Sequence, residues 1–430
     1  MPGARVKWEA GAGRVSHTET EADERGIARV QWVMPASPST STTRAVLVAD
    51  SSAVVVFWGA AVGQSRIALS GTTPWFTVGP LDPRYVLRSV GRVRGLMVFV
   101  EYPDRPPRYQ PQSITRDMAE YAEWWWRQVS RGDLDLDIVP VGTWRVLPHP
   151  YESYVFGPAS QYFDVRRWME DIVAVFDADV DFSTYDFVYV VPSFSWTGPF
   201  IATPGTGIKA DGIEIRFAVP YGYLPNSLET ARGVLVHEMS HLFGLPDLTQ
   251  LGPTSIALTQ YQDGYVGRFD VMGNPKGSGL LLWQRWNLGW IERERLLAFT
   301  NGGVETWLSP SGPPAGFEGI VVLTGSSTAI VVEARGAGPL DATLCESGVL
   351  VYEVDTRRMS GAGPLRVLKP PRGPDLSLID RCGSVQDATL DQAPGRRTSY
   401  RDPSLGFSVD VLEKTPDFRY RVRVSFTPGP

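Results

Sequence analysis

The residues best suited to chemistry stand in one short stretch, LVHEMSHLFGLPDL (235–248), which holds two of the chain's four histidines. His237 and His241 are four positions apart, so on a helix they share a face, one turn apart, and their imidazoles can meet at one metal ion. Glu238 is offset by about 100° and can reach a water on that ion. At ordinary His and Glu frequencies a chain of this length shows such an HExxH pattern by accident roughly once in a hundred. One bland alternative is a core helix with two hydrogen-bonded histidines. Among Val234, Leu235, Leu242 and Phe243 that arrangement carries a desolvation cost unless the two share a partner. The other is a structural zinc site, which normally closes with four protein ligands, often Cys, and neither cysteine is near in sequence.

A third ligand is sought just past the helix. Gly244 has no Cβ and can take φ > 0 where the helix ends, and Pro246 prevents continuation. Such a bend can bring Asp247, six positions after His241, back beneath the metal, completing HExxHxxGxxD with an oxygen ligand that zinc accepts. Asp263, Asp270 and Glu292 are the competing carboxylates, because the next helical stretch, GSGLLLWQRWNLGW (277–290), contains no acid. Two His and one Asp leave a fourth position for water. The chemistry implied is metal-assisted hydrolysis: zinc lowers the water's pKa and polarises the scissile carbonyl, and Glu238 takes the proton and passes it to the leaving amine.

Elements must place these residues. Asn226 and Glu229 form a capping-box-like start, and LETARGVLVHEMSHLF then runs without proline. Ahead of it, RGLMVFVEY and YDFVYVVPSF are nearly continuous apolar strands of the kind buried on both faces. SITRDMAEYAEWWWRQVSRG, with Met118, Tyr121, Trp125 and Val129 on one face, and VRRWMEDIVAVFDADV read as helices, and DLDLDIVPVGTWRVLP alternates as a strand. Strand–helix–strand–helix–strand order predicts an α/β layer. The expected organisation is a β-rich segment over 1–62, a turn-rich linker over 63–91, a catalytic unit over 92–300 and a β-rich unit over 301–430. The last contains the strand-like runs TAIVVEARG, GVLVYEVD, FSVDVLEK and RYRVRVSF.

A net charge of −6 argues against a nucleic-acid partner, which needs a clustered basic face. The longest apolar stretch, AVLVADSSAVVVFWGAAV, is interrupted by Asp50, Ser51 and Ser52 and alternates like strands, so no transmembrane segment is expected. MPGARVKWEAGAG lacks the apolar region of a signal peptide.

Several ordered segments resemble the immune inhibitor A family of secreted bacterial zinc metallopeptidases, within the metzincin-like group. These are GLMVFVEYPDRP, HEMSHLFGLPDL, GRFDVMGNP, LLWQRWNLGWI, VVEARG and SGVLVYEVD, spanning about residues 92–412. The resemblance implies a zincin-like α+β catalytic domain with a mixed sheet, one catalytic zinc, a protein or peptide substrate and secretion. It also implies that Met272 forms a hydrophobic turn under the metal. GAGRVSHTETEADERGIARVQWVM resembles the latter half of a bacterial Ig-like domain of the invasin/intimin type, so the N-terminal segment is expected to be a partial β-sandwich and the chain to lack its start. The acidic run frequent in the family after the zinc motif is missing here, and calcium rests on DLDLD (133–137), which lacks the Gly and distal Glu of an EF-type loop. Cys345 and Cys382 are either free thiols or, in a secreted protein, a disulfide closing about 36 residues and worth roughly 3–4 kcal/mol. Tyr261 and Tyr265 are read as packing residues with an outside role toward an oxyanion, and His17 and His149 as surface and loop residues. A monomer is expected. The rival functions are a zinc hydrolase acting on a glycoprotein or non-peptide amide, and a non-catalytic adhesion module that keeps the fold.

Overall fold

A computed structural model describes residues 2–11, 13–33, 39–61, 67, 69–70, 77–156, 162–193, 203–249, 265–310, 316–336, 338–344, 346–369, 385 and 388–429. Among them the chain is of mixed α/β class, with several sheets and few helices.

The sheet that carries the site runs, edge to edge, Thr203–Ala210, Ile213–Pro220, Phe187–Pro192, Gly91–Glu101 and Leu134–Val146. The last four are parallel and Thr203–Ala210 is an antiparallel edge. Parallel strands need crossovers, and helices over the two faces supply them. The near-continuous apolar run of Gly91–Glu101 follows directly. Val93, Met97 and Phe99 join a core with Trp125, Trp126 and the histidine-bearing helix. Leu96, Val98 and Val100 join another on the opposite face with Trp168, Met169 and Ile172 of the helix Val165–Phe176. Trp125, Trp126 and Trp168 are almost fully enclosed, each worth roughly 5 kcal/mol of burial at about 200 Å².

The first expected helix forms as Pro111–Ile114, a π turn at Thr115–Ala119 and a regular helix over Glu120–Ser130. The sequence reading assigns no element to the edge hairpin. Its turn is Asp211-Gly212, both at positive φ (48° and 78°), one of the dipeptides favoured in two-residue hairpin loops.

Beyond the site lies a sandwich of two sheets. One has the order Leu296–Phe299, Gly319–Leu323, Thr328–Arg335, Gly348–Asp355, Leu365–Val367, and the other Gly302–Leu308, Tyr420–Phe426, Phe407–Lys414, Ser399–Asp402. In the first, alternation divides the side chains: Ile320, Val322, Ile330 and Val332 face the second sheet, whereas Val321, Val331, Leu350 and Tyr352 enter the core under the histidine helix. This sheet already begins at Leu296, before the boundary expected at 301.

The stretch expected to be a linker is anchored to the core at some of its described residues, while others such as Tyr85 and Val90 are exposed. Val78 and Leu87 are buried. The Val78 carbonyl accepts from Trp283 Nε1 at 2.8 Å, and the Leu87 amide donates to Leu242 O at 2.8 Å. At the N-terminus, Glu19–Glu21, Arg5–Ala10, Ser39–Leu47 and Asp50–Ala61 form an antiparallel sheet whose Trp8 is buried and donates to Thr20 Oγ1 at 2.8 Å. No helix among the described residues is long and apolar enough to cross a membrane.

Candidate metal centre

The histidine helix spans Leu228–Leu242. Its start differs from the expected capping box: a 3-10 turn, Pro225–Ser227, leads in, and Ser227 rather than Asn226 is the N-cap, with no side-chain cap bond. Its end is as expected. Gly244 sits at φ +88°, its amide donates to His241 O at 2.9 Å, and the Leu245 amide donates to Ser240 O at 3.2 Å. This pair of bonds is the Schellman arrangement, which requires a residue at ease in left-handed backbone.

The bend returns Asp247 to the helix. Asp247 Oδ1 lies 3.2 Å from His237 Nε2 and 3.6 Å from His241 Nε2. Tetrahedral zinc with bonds near 2.0–2.1 Å holds its ligand atoms about 3.3 Å apart, so the three donors are spaced to fit one ion. They are also the metal-competent cluster of His, Cys, Asp and Glu among the described residues, all within 4.8 Å of one another. Both Nδ1 atoms face backbone carbonyls. His237 Nδ1 donates to Val271 O at 2.9 Å and His241 Nδ1 to Leu245 O at 2.7 Å. A carbonyl can only accept, so when each ring is neutral its proton sits on Nδ1 and Nε2 carries the lone pair that a metal needs.

The segment with Met272 backs this arrangement. Val271 and Met272 are buried, and the Met272 carbonyl accepts from Leu248 N–H at 2.9 Å, joining the turn to the loop that carries Asp247. The turn is organised by Asp270, which accepts from Met272 N–H at 2.8 Å and Leu281 N–H at 2.7 Å. Asp270 is therefore a turn anchor and stands outside the cluster of His237, His241 and Asp247. Gly233 lets the turn approach the helix: a Cβ there would meet Pro275 O at 1.6 Å.

The centre is shaped for positive charge. Burial opposes the charged form of His237, yet the Asp247 carboxylate, Glu238 and the Val271 carbonyl outweigh it and raise its pKa to about 9. His241 moves upward against burial for similar reasons, with Asp247 the main partner. Burial pushes Asp247 up, but the two imidazoles hold it well below the carboxylate range. Glu238, 7% exposed, is raised by burial against the pull of both imidazoles.

Other residues singled out in the sequence are not part of the His237, His241 and Asp247 cluster. Glu292 is exposed and precedes a 3-10 turn. Tyr265 packs under the Arg366 guanidinium, 4.5 Å above its ring. His17 is exposed beside Ser16, and His149 stands edge-on to Tyr154. In the DLDLD strand Leu134 and Leu136 point inward, and Asp137 pairs with Arg92 at 2.7 Å. Asp263, Tyr261, Cys345 and Cys382 lie outside the described residues.

Four contributors escape the sequence reading, all on the C-terminal side. The Asp247 amide donates to Ser360 Oγ at 2.9 Å, and that hydroxyl donates to Asp247 Oδ2 at 3.2 Å. Arg335 donates to Phe269 O at 2.8 Å and Ser278 O at 3.1 Å, bracketing the Met272 turn. Glu333 Oε2 and the Tyr352 hydroxyl accept from Leu282 N–H and Trp283 N–H, each at 3.0 Å. These tertiary caps fix the next helix at Leu282–Asn287, shorter than the expected 277–290. The VVEARG and GVLVYEVD runs held three of the four, but strand patterning gives no sign of what their polar side chains touch.

Two imidazoles and a carboxylate stand together on a helix-and-turn frame, within a mixed α/β fold, with donor atoms close enough to share one metal ion. No family model matches the chain, and no curated protein matches it.

Proposed function

We propose that this protein is a zinc-dependent endopeptidase of zincin-like fold, related to the immune inhibitor A family, with His237, His241 and Asp247 as zinc ligands and Glu238 as general base. The observation that carries the reading is the convergence of both Nε2 atoms on Asp247 Oδ1, with both Nδ1 atoms committed to backbone carbonyls. A bound zinc ion supplies Lewis acidity, polarising a carbonyl and making water a better nucleophile. The chain's residues do the rest. The Val271 and Leu245 carbonyls hold the imidazoles in the ligating tautomer. Glu238, one position along the helix from His237 and buried beside both imidazoles, is suited to take a proton from the attacking water and deliver it to the departing amine. The bend at Gly244 and the buried Met272 turn support the narrower family reading.

The test is hydrolysis of a mixed peptide and protein library by the purified chain, with zinc content measured and a chelator control. Glu238→Gln is expected to keep its zinc and lose turnover by about 10²–10⁴-fold. Full turnover in a zinc-loaded Glu238→Gln protein rules out the general-base role. A zinc-loaded wild type that cuts no peptide or protein rules out the endopeptidase.

A further inference from the structure

We infer that Ser360, on a loop of the C-terminal sheet, is a positioning residue for the third metal ligand, so that the β-sandwich side of the protein is part of the metal centre. The inference rests on the reading of His237, His241 and Asp247 as zinc ligands. Ser360 is 113 residues from Asp247 in sequence, yet it closes a two-bond ring with it: backbone N–H to Oγ, and hydroxyl to Oδ2. Gly361 N–H adds a third bond, to the Asp247 carbonyl, at 3.0 Å. The consequence is directional. Oδ2 is occupied by the hydroxyl, and Oδ1 is left facing the two imidazoles. A carboxylate held in this way offers one oxygen to a metal, in one orientation.

The loop is built to hold that position. It joins the strands Gly348–Asp355 and Leu365–Val367, and the Asp355 amide closes its base on Pro364 O at 2.9 Å. The Asp355 carboxylate accepts from the Arg357 amide at 3.0 Å and from Arg358 Nε at 3.2 Å. Ala362 N–H closes a turn on Met359 O at 2.9 Å. Gly363, at φ +73°, sits so close to Tyr265 that a Cβ would meet the ring at 2.8 Å. Ser360 is thus presented by a braced loop, and outer partners of ligating carboxylates set metal affinity because they remove the cost of orienting the ligand on binding.

Thr and Val have nearly the same shape and differ in the hydroxyl, so Ser360→Thr and Ser360→Val are compared with Ser360→Ala in the full chain. The readouts are the zinc dissociation constant, by competition with a chelating dye, and the visible absorption spectrum of the cobalt-substituted protein. Ser360→Val and Ser360→Ala are expected to bind zinc about 10–100-fold more weakly with an altered cobalt spectrum, and Ser360→Thr to stay within about threefold of wild type. Equal zinc affinity in the Thr and Val proteins overturns the inference, whether both bind tightly or both weakly. A wild-type chain that takes up no zinc overturns the metal reading itself, so the two failures are distinguishable.

Discussion

Asp247 and Asp270 are two aspartates that flank the histidine helix, and each is pinned by hydrogen bonds, but their surroundings pull their protons in opposite directions. Asp247 faces two imidazole Nε2 atoms, which hold it well below the usual carboxylate range despite burial. Asp270 is fully enclosed, and its burial outweighs the Met272 and Leu281 amides, raising its pKa to about 7. One carboxylate points an oxygen at groups that can share a cation, whereas the other spends its oxygens on backbone amides to shape a turn. Proximity to the histidines does not decide what a carboxylate does; the groups across from it do.

The largest effect is expected from breaking the first member of this pair. Asp247→Ala removes one of the three proposed ligands while leaving the helix and the Met272 turn their own hydrogen bonds. Zinc is expected to be lost on dialysis and hydrolysis abolished, with the far-ultraviolet circular dichroism unchanged. Stoichiometric zinc in the dialysed Asp247→Ala protein would return the third-ligand role to another carboxylate.

The sequence carried the first side of the comparison further than the second. HExxH, Gly244 and Asp247 lie within eleven residues, and helix periodicity and one glycine bend suffice to relate them. Asp270 could be named there as a rival ligand, because nothing in GRFDVMGNP says that its oxygens are taken by amides two and eleven positions on. Parallel strands were legible because burial on both faces leaves an unbroken apolar run. Ser360, Arg335 and Glu333 were not, because a polar residue's partner across a sheet-to-turn interface leaves no periodic trace. The tryptophan-containing helix was drawn too long for the same reason: Leu281 and Leu282 are apolar and helix-compatible, but their amides are given to Asp270 and Glu333.

A smaller but still large effect is expected where the turn is clamped from the sandwich. Arg335 is 4% exposed and pairs with Asp341 at 2.7 Å and Glu333 at 3.5 Å, besides its bonds to Phe269 O and Ser278 O. Arg335→Met fills similar space but leaves buried acids without their cation, which costs about 3–5 kcal/mol. Urea denaturation of the zinc-free protein measures this. A loss under about 1 kcal/mol would mean that Arg285 and the remaining network carry the acids unaided.

The most gradual of these effects separates the two aspartates by pH. The Asp270 carboxyl has an ordinary pKa near 3.8 when unfolded and about 7 when folded. Below about pH 4 both states are protonated and the group costs nothing. Between there and about 7 the unfolded chain gives up its proton while the folded chain retains it, so stability falls as pH rises, by up to about 1.4 kcal/mol per unit. Asp270→Asn resembles the protonated form and removes this slope. The stability of wild type relative to Asp270→Asn is therefore expected to decline from pH 4.5 to 7 and to level off above it, as read from urea midpoints. The Asp247 carboxylate, held well below the carboxylate range by the two imidazoles, contributes no such slope. A pH-independent difference between wild type and Asp270→Asn would show that the two amides, not burial, dominate Asp270, and would make the two aspartates alike in charge and different only in what they face.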